Sequence, residues 1–386
     1  MTVFLLTIIT VYGGAHVYAF FRARGAFGFG AGPGLVLALF MALMVAAPFV
    51  IRTLELHEFE RTARVLAYGA YLWMAALFLF FCISLSIDLL NLAARAVRWA
   101  AAVDPAPLPI AGRTSFLISV GLALAICVYG YYEAGNIRPQ FLRIETAKLP
   151  PGTDRLTVVQ MSDVHLGLII RCDRLEKMLK VVKAAKPDIF IVTGDLVDAQ
   201  INHLTGLADL LRGVNPRYGK FAITGNHEYY AGLGKALAFT RNAGFTVLRN
   251  EAAKAGPIMI AGVDDRTGVQ MKRAKPASEQ ALLAGLPKDK FALFLKHQPR
   301  IDPATIGLFD LQLSGHTHQG QIFPFTWLTR LTFPLNAGRY DLGSGSILYV
   351  SRGTGTWGPP IRFLAPPEVT VIELVRVPVA HAGPAR

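Results

Sequence analysis

Cysteine is nearly missing from this chain: three residues in 386, at positions 82, 127 and 172. They are too few and too scattered for a disulfide framework, which leaves the redox compartment open. A thiolate-rich structural metal site is excluded. Charge is scarce as well. Asp, Glu, Lys and Arg make up 17% of the residues, and the acidic ones are the rarer, 26 against 39 Lys and Arg. The net charge of +13 suits an anionic partner, either lipid headgroups or a phosphorylated substrate. No basic block with interleaved aromatics stands out, which argues against nucleic acid. Internal repeats and low-complexity tracts are absent too.

What the sequence has in excess is apolar side chains, 53% of the total. The excess is concentrated in four runs, 2–21, 34–51, 65–90 and 115–132, each near or above the roughly 20 residues that cross a bilayer. Short Arg-bearing connections separate them, the third with the Pro-rich stretch DPAPLPIAGR at 104–113. Four such runs in succession are hard to bury in anything but lipid. Residues 1–132 are therefore expected to form a four-helix transmembrane region of a multi-pass protein of the bacterial-type cytoplasmic (inner) membrane. No basic segment precedes the first run and no small-residue cleavage site follows it cleanly, so a retained helix is expected rather than a signal peptide. His16 and Asp88, inside or at the edge of the spans, are expected at helix–helix contacts or at the interface. Arg22 and Arg24, with Arg95, Arg98 and Arg113, favour an external N-terminus. Arg52, Arg61, Arg64, Arg138, Arg143 and Lys148 pull the other way. Four spans return the chain to its starting side, giving an extracytoplasmic catalytic domain.

A juxtamembrane linker is expected over 133–152, ending in KLPPG, then a soluble domain over 153–376 and a loose tail over 377–386 that holds His381. In the domain, a short β-rich run followed by a polar cluster recurs: LTVVQMSD, DIFIVTGD, GKFAITGNHE, PIMIAGVDD, FALFLKHQ, DLQLSGHTH, SILYVSR and EVTVIEL. Helical stretches such as RLEKMLKVVKAAK and GLGKALAFTRNAG fall between several of them. This order predicts an α/β (α+β) domain, a mixed β-sandwich flanked by helices, with its site at the carboxyl ends of strands.

The strand ends carry the chemistry. In chain order they present Asp163 and His165, Asp195, Asn226 with His227 and Glu228, His297, and finally His316 and His318. Alone, a His-x-His, an Asp-x-His or a Gly-Asp is a common polar turn, and a lone His297 is more often a satisfied core histidine. Together, all at strand ends, they form a carboxylate, imidazole and amide set without sulfur. Such a set suits Mn, Fe or Zn, and its eight or nine groups exceed what one ion needs.

The motifs SDVHLG, TGDLVD, TGNHEYY, LKHQP and SGHTHQGQ, in that order within about 155–372, resemble those of the calcineurin-like metallophosphoesterase family, in its membrane-anchored bacterial type. The resemblance implies that Asp163, His165 and His318 hold one metal and Asn226, His297 and His316 the other. It implies that Asp195 bridges the two and that His227 stands outside the metal shell, facing the substrate. The implied cofactor is a pair of divalent ions, Mn, Fe, Zn or Co. Two such ions about 3.5–4 Å apart can share a water, lower its pKa and present it as hydroxide for in-line attack on phosphorus. His227 would protonate the leaving oxygen.

Asp198 and Glu228 are candidates to orient ligating imidazoles, or else ordinary solvated carboxylates. Arg352 and Arg362, in SRGTGTWGPPIRF, either offer forked donors to phosphate oxygens or belong to a fold-closing loop. Asp264 and Asp265 read as a structural turn, and His203 as a surface residue. The reaction expected is hydrolysis of a P–O bond in an amphipathic substrate, a phospholipid or a molecule resembling UDP-diacylglucosamine. A nucleotide or nucleic-acid phosphodiesterase, or a non-catalytic metal-binding membrane scaffold, is the alternative.

Overall fold

The computed structural model describes residues 2–101, 110, 112–198, 204 and 206–378. Most of the 104–113 connection, His203 and the tail with His381 lie outside the described residues. The chain divides into two units whose boundary in sequence falls between Tyr132 and Glu133.

The first unit is helical: α1 (Thr2–Phe27), α2 (Ala31–Leu56), α3 (Glu60–Ala101) and α4 (Gly112–Ala134). Among the described residues, α2, α3 and α4 are long and apolar enough to cross a membrane. The helix α1 covers the first expected run. The run expected over 65–90 lies inside a far longer helix of 42 residues, about 63 Å at 1.5 Å per residue. Residues 91–101 (NLAARAVRWAA) continue it because they are good helix formers without Gly or Pro. The polar residues of the spans join α1 to α3. Trp73 Nε1 donates to His16 Nε2 at 2.9 Å, Tyr18 donates to Asp88 at 2.7 Å, and Arg22 pairs with Asp88 at 3.0 Å.

The second unit holds twelve strands among the described residues: β1 (Arg138–Thr146), β2 (Arg155–Met161), β3 (Ile189–Val192), β4 (Lys220–Ala222), β5 (Thr246–Val247), β6 (Glu251–Ala255), β7 (Ile258–Gly262), β8 (Ala292–Leu295), β9 (Leu311–Ser314), β10 (Gly338–Gly343), β11 (Ser346–Val350) and β12 (Glu368–Arg376). They form two six-stranded mixed sheets, ordered β1-β12-β2-β3-β4-β5 and β10-β11-β9-β8-β7-β6. The helices are α5 (Cys172–Ala184), α6 (Leu207–Arg212), α7 (Asn226–Tyr230), α8 (Leu233–Asn242), α9 (Arg266–Gln270), α10 (Glu279–Ala284) and α11 (Phe325–Thr332).

Side-chain alternation builds the core. Val158, Ile189, Ile191 and Phe221 of one sheet meet Ile258, Ile260, Leu293, Leu295, Leu311 and Leu313 of the other in one buried cluster. The intervening Val159, Phe190 and Val192 are buried as well, so both faces of the central strands are covered, as apolar parallel strands require.

One boundary differs from the sequence-based expectation. The segment expected to be a linker over 133–152 contains β1, which pairs in parallel with β12 along nine residues. Its burial alternates only from Leu142 to Thr146, and it begins with RPQF, so an edge strand reads as a polar tether. The short or exposed β5, β6 and β10 lack an apolar run for the same reason.

Candidate metal centre

The two sheets bring their strand ends together at one place. Asp163 and His165 follow β2, Asp195 follows β3, and Asn226 and His227 open α7 just beyond β4. From the other sheet His297 follows β8, and His316 and His318 follow β9. Parallel neighbours β2, β3 and β4 point their carboxyl ends the same way, and so do β8 and β9. Residues scattered over some 150 positions therefore share one cleft.

The donors fall into three overlapping groups whose ligand atoms lie within 4.8 Å of one another: Asp163, His165 and His318; His165, Asp195 and His227; Asp195, His297 and His316. His165 Nε2 is 3.0 Å from His318 Nε2, which is 3.5 Å from Asp163 Oδ1. On the other flank His316 Nδ1 lies 2.9 Å from Asn226 Oδ1 and 3.2 Å from His297 Nε2, itself 3.3 Å from Asp195 Oδ2. Separations near 3.0–3.5 Å are the edges of a coordination polyhedron with bonds of about 2.0–2.2 Å. Asp195 reaches both flanks, with Oδ2 3.8 Å from His165 Nε2.

The tautomers suit a cation. His297 Nδ1 donates to the Thr193 carbonyl at 2.8 Å, which turns Nε2 toward the other donors. Burial, reinforced by the positive His297, lowers the pKa of His316 to about 4. Burial and then the Arg362 guanidinium hold His318 well below the usual imidazole range. Both rings of the His-x-His pair are thus neutral donors at physiological pH. For His297 burial is outweighed by the charge of Asp195, which raises its pKa. The carboxylate cluster draws positive charge to that position. Oxygen and nitrogen donors in this packing fit two divalent ions.

The backbone is strained where the donors stand. Asp163, His165, Asp195, His316 and His318 all have positive φ, between 47° and 73°. That conformation costs a non-glycine residue on the order of 1–3 kcal/mol and persists only where surroundings enforce it. Two glycines permit the crowding. A Cβ on Gly225 would lie 2.1 Å from Asp195 Oδ1, and one on Gly315 would lie 1.9 Å from Ser162 Oγ.

His227 sits at the rim of the cluster. Its backbone N–H donates to Asp195 Oδ1 and its Nδ1 donates to Asp198 Oδ1, each at 2.9 Å. Asp198 thus orients chiefly the imidazole of His227, which is not a proposed ligand, with His165 Nδ1 farther off at 3.8 Å. Burial lowers the pKa of His227, but the charge of Asp195 and the bond to Asp198 prevail and raise it to about 9. A histidine raised above its ordinary 6.5 stabilises the fold fully below pH 6.5 and loses that contribution as pH rises through about 9. In chelator-treated protein, denaturant titrations should therefore show stability falling over that window by up to about 3 kcal/mol. His227→Gln should flatten the slope; an unchanged slope would assign it to another group.

Three expectations need correction. Glu228 does not orient an imidazole. Buried, it accepts from the backbone N–H of Gly225 (2.6 Å), Asp195 (3.0 Å), Leu196 (2.9 Å) and Val197 (3.3 Å), locking two ligand loops together. Arg362 does not face phosphate. It is fully buried and donates to the carbonyls of His318, Arg352, Gly353, Gly355 and Ala365 and to His318 Nδ1. Arg352 pairs with buried Glu368 and reaches Gln140. The two arginines close the fold. Asp264, paired with Arg249, and Asp265, which caps α9, form a structural turn, in line with the sequence reading.

Residues missed by sequence reasoning also reach the cluster. Trp357 and Tyr230 flank the His227 ring, at 6.2 and 5.3 Å between centroids. Phe333 packs on His316 at 5.0 Å, and the exposed Arg300 lies 4.7 Å above the Phe333 ring. Trp357 and Phe333 stand in loops and Tyr230 ends the five-residue α7, too short for a periodic signal, so no pattern marked them.

Comparison with known proteins agrees with this centre. The profile of calcineurin-like phosphoesterases matches residues 156–320, the span from β2 to just past His318. A metallophosphoesterase of Aquifex aeolicus (strain VF5) is 42% identical over 255 residues, covering 66% of this chain and 97% of its own. Metallophosphoesterase YkuE of Bacillus subtilis (strain 168) is 35% identical over 64% of this chain and 90% of its own. A transmembrane protein with metallophosphoesterase domain from Bos taurus is 29% identical over 89% of this chain and 81% of its own. The chain belongs to the calcineurin-like metallophosphoesterase family. It combines His/Asp clusters consistent with a dimetal site and, among the described residues, three helices long and apolar enough to cross a membrane.

Proposed function

We propose that this chain hydrolyses the P–O bond of an amphipathic, lipid-like phosphorylated substrate at the cytoplasmic membrane. Four helices would span the bilayer, α1 included, with the catalytic unit on the extracytoplasmic side. The observation that carries the hydrolytic reading is the sharing of Asp195 by both donor flanks, with the His227 ring held beside them by Asp198.

Asp163, His165 and His318 would hold one ion and Asn226, His297 and His316 the other, with Asp195 common to both. Bound there, two divalent cations would supply Lewis-acid stabilisation of phosphoryl oxygens and a water of lowered pKa. The neutral amide of Asn226 fills a coordination position without quenching that acidity. His227, aimed by Asp198, donates its proton to the leaving oxygen. Arg300, splayed on Phe333 next to His316, takes the place of Arg352 and Arg362 as the cation offered to the substrate.

Asp195→Asn should lose both ions together, because the amide withdraws the charge that offsets their repulsion. Metal analysis of purified protein checks this; two ions still bound per chain would refute the shared role. Membrane-spanning helices favour the lipid-like substrate over a nucleotide, since tethering confines the centre near lipid. The test is turnover by full-length protein in nanodiscs, supplied with Mn, against phospholipids, UDP-diacylglucosamine-like pyrophosphates and nucleotide phosphodiesters. Hydrolysis abolished by chelation and selective for the lipid class is expected. Preference for nucleotides would turn the reading to the nucleotide enzyme. Metal binding without any turnover would leave the scaffold.

A further inference from the structure

The face of α11 turned away from the protein is apolar and bare. At 100° per residue, Trp327, Leu328 and Leu331 fall within about a 100° arc, and they are 63%, 55% and 81% exposed. Thr326, on the opposite side, is buried and donates to the Gln319 carbonyl. A soluble protein rarely leaves such a strip open unless something covers it.

The strip continues onto a second loop. Gln321, four residues before α11, exchanges two hydrogen bonds with the Trp357 backbone, at 2.8 and 2.9 Å. The Phe323 ring packs edge-on against Trp327 at 5.0 Å between centroids, and its N–H donates to the Phe363 carbonyl at 3.1 Å. This brings Trp357 and Leu364, 53% and 59% exposed, to the same part of the surface. The collar borders the metal centre: Phe333, just after α11, packs on His316, and Trp357 stands by His227.

We propose that this collar is an interfacial anchor, which seats the mouth of the metal centre at the headgroup–acyl boundary of an anionic bilayer. Its chemistry selects that occupant over a second copy of the chain. Tryptophan and leucine on one face of a helix lying flat is the pattern of interfacial helices. From residue 311 to 367 the only acidic side chain is Asp341, against the exposed Arg330 and Arg339; Arg352 and Arg362 are spent within the fold. The chain as a whole carries +13. Such a face attracts anionic headgroups and repels its own kind. Helices long and apolar enough to cross a membrane, in the same chain, would keep a bilayer within reach. The docking is independent of the reading of the metal centre; only its corollary, that substrate enters from the lipid layer, rests on the proposed function.

The test uses full-length protein in nanodiscs that contain phosphatidylglycerol and brominated phosphatidylcholine. In a W73F/W99F/W357F chain, Trp327 is the sole indole. Bromolipid should quench more than about half of its emission, while aqueous iodide should have little effect. Where that variant fails to fold, the difference in emission between the wild-type chain and W327F reports the same residue. Quenching by iodide alone would place the face in water and overturn the proposal. Protection from both quenchers, with two chains per nanodisc, would assign the collar to a second copy and overturn it equally. Neither readout involves turnover, so an inactive but quenched chain would sink the hydrolase reading alone.

Discussion

His227→Ala should keep both ions and lose turnover by about 10²–10⁴ on a substrate with an alkyl leaving group. The retained ions follow from geometry. The side chain of His227 is spent on Asp198, and the remaining donors around Asp195 are untouched. The lost rate follows from proton supply: an alkoxide leaves poorly without a proton, and His227, held by Asp198 at the rim of the cluster, is the imidazole placed to give one. A phenolic ester, whose leaving group needs less help, should lose less. Metal content and kcat measured on the same preparation check this. Wild-type turnover of the alkyl ester would remove the acid role, and loss of an ion would make His227 a ligand instead.

Glu228→Ala should destabilise the catalytic unit by at least about 3 kcal/mol. The carboxylate accepts four buried backbone N–H groups, and each donor left unsatisfied costs on the order of 1–3 kcal/mol. Glu228→Gln should fall between, since the amide oxygen still accepts while its NH₂ meets an N–H. Denaturant midpoints of the three chains decide. If alanine is tolerated within about 0.5 kcal/mol, the carboxylate is not what binds the Asp195 and Gly225 loops.

The candidate donor cluster was legible because each donor sits just past a short run of buried strand residues, as Asp195 does after Ile189–Val192 and His297 after Ala292–Leu295. Local pattern and long-range topology there agree. The roles of Glu228, Arg352 and Arg362 were not legible. Each is decided by which backbone groups arrive from elsewhere: Gly225 and Asp195 for Glu228, the carbonyls of 353–365 for Arg362. A charged residue near a motif carries no mark of whether it will meet substrate or main chain. For β1 the obstacle was polarity, since an edge strand needs an apolar stripe only where it is covered.

The division of the donors between two sheets bears on how the protein is made. When a ribosome has released the chain through residue 230, only Asp163, His165, Asp195 and Asn226 exist to greet an ion. The three histidines that complete the pocket come nearly seventy residues and more later. Native-affinity loading of the proposed ion pair would therefore wait for the second sheet to close on the first, and ion uptake would become a timer for completion of the fold.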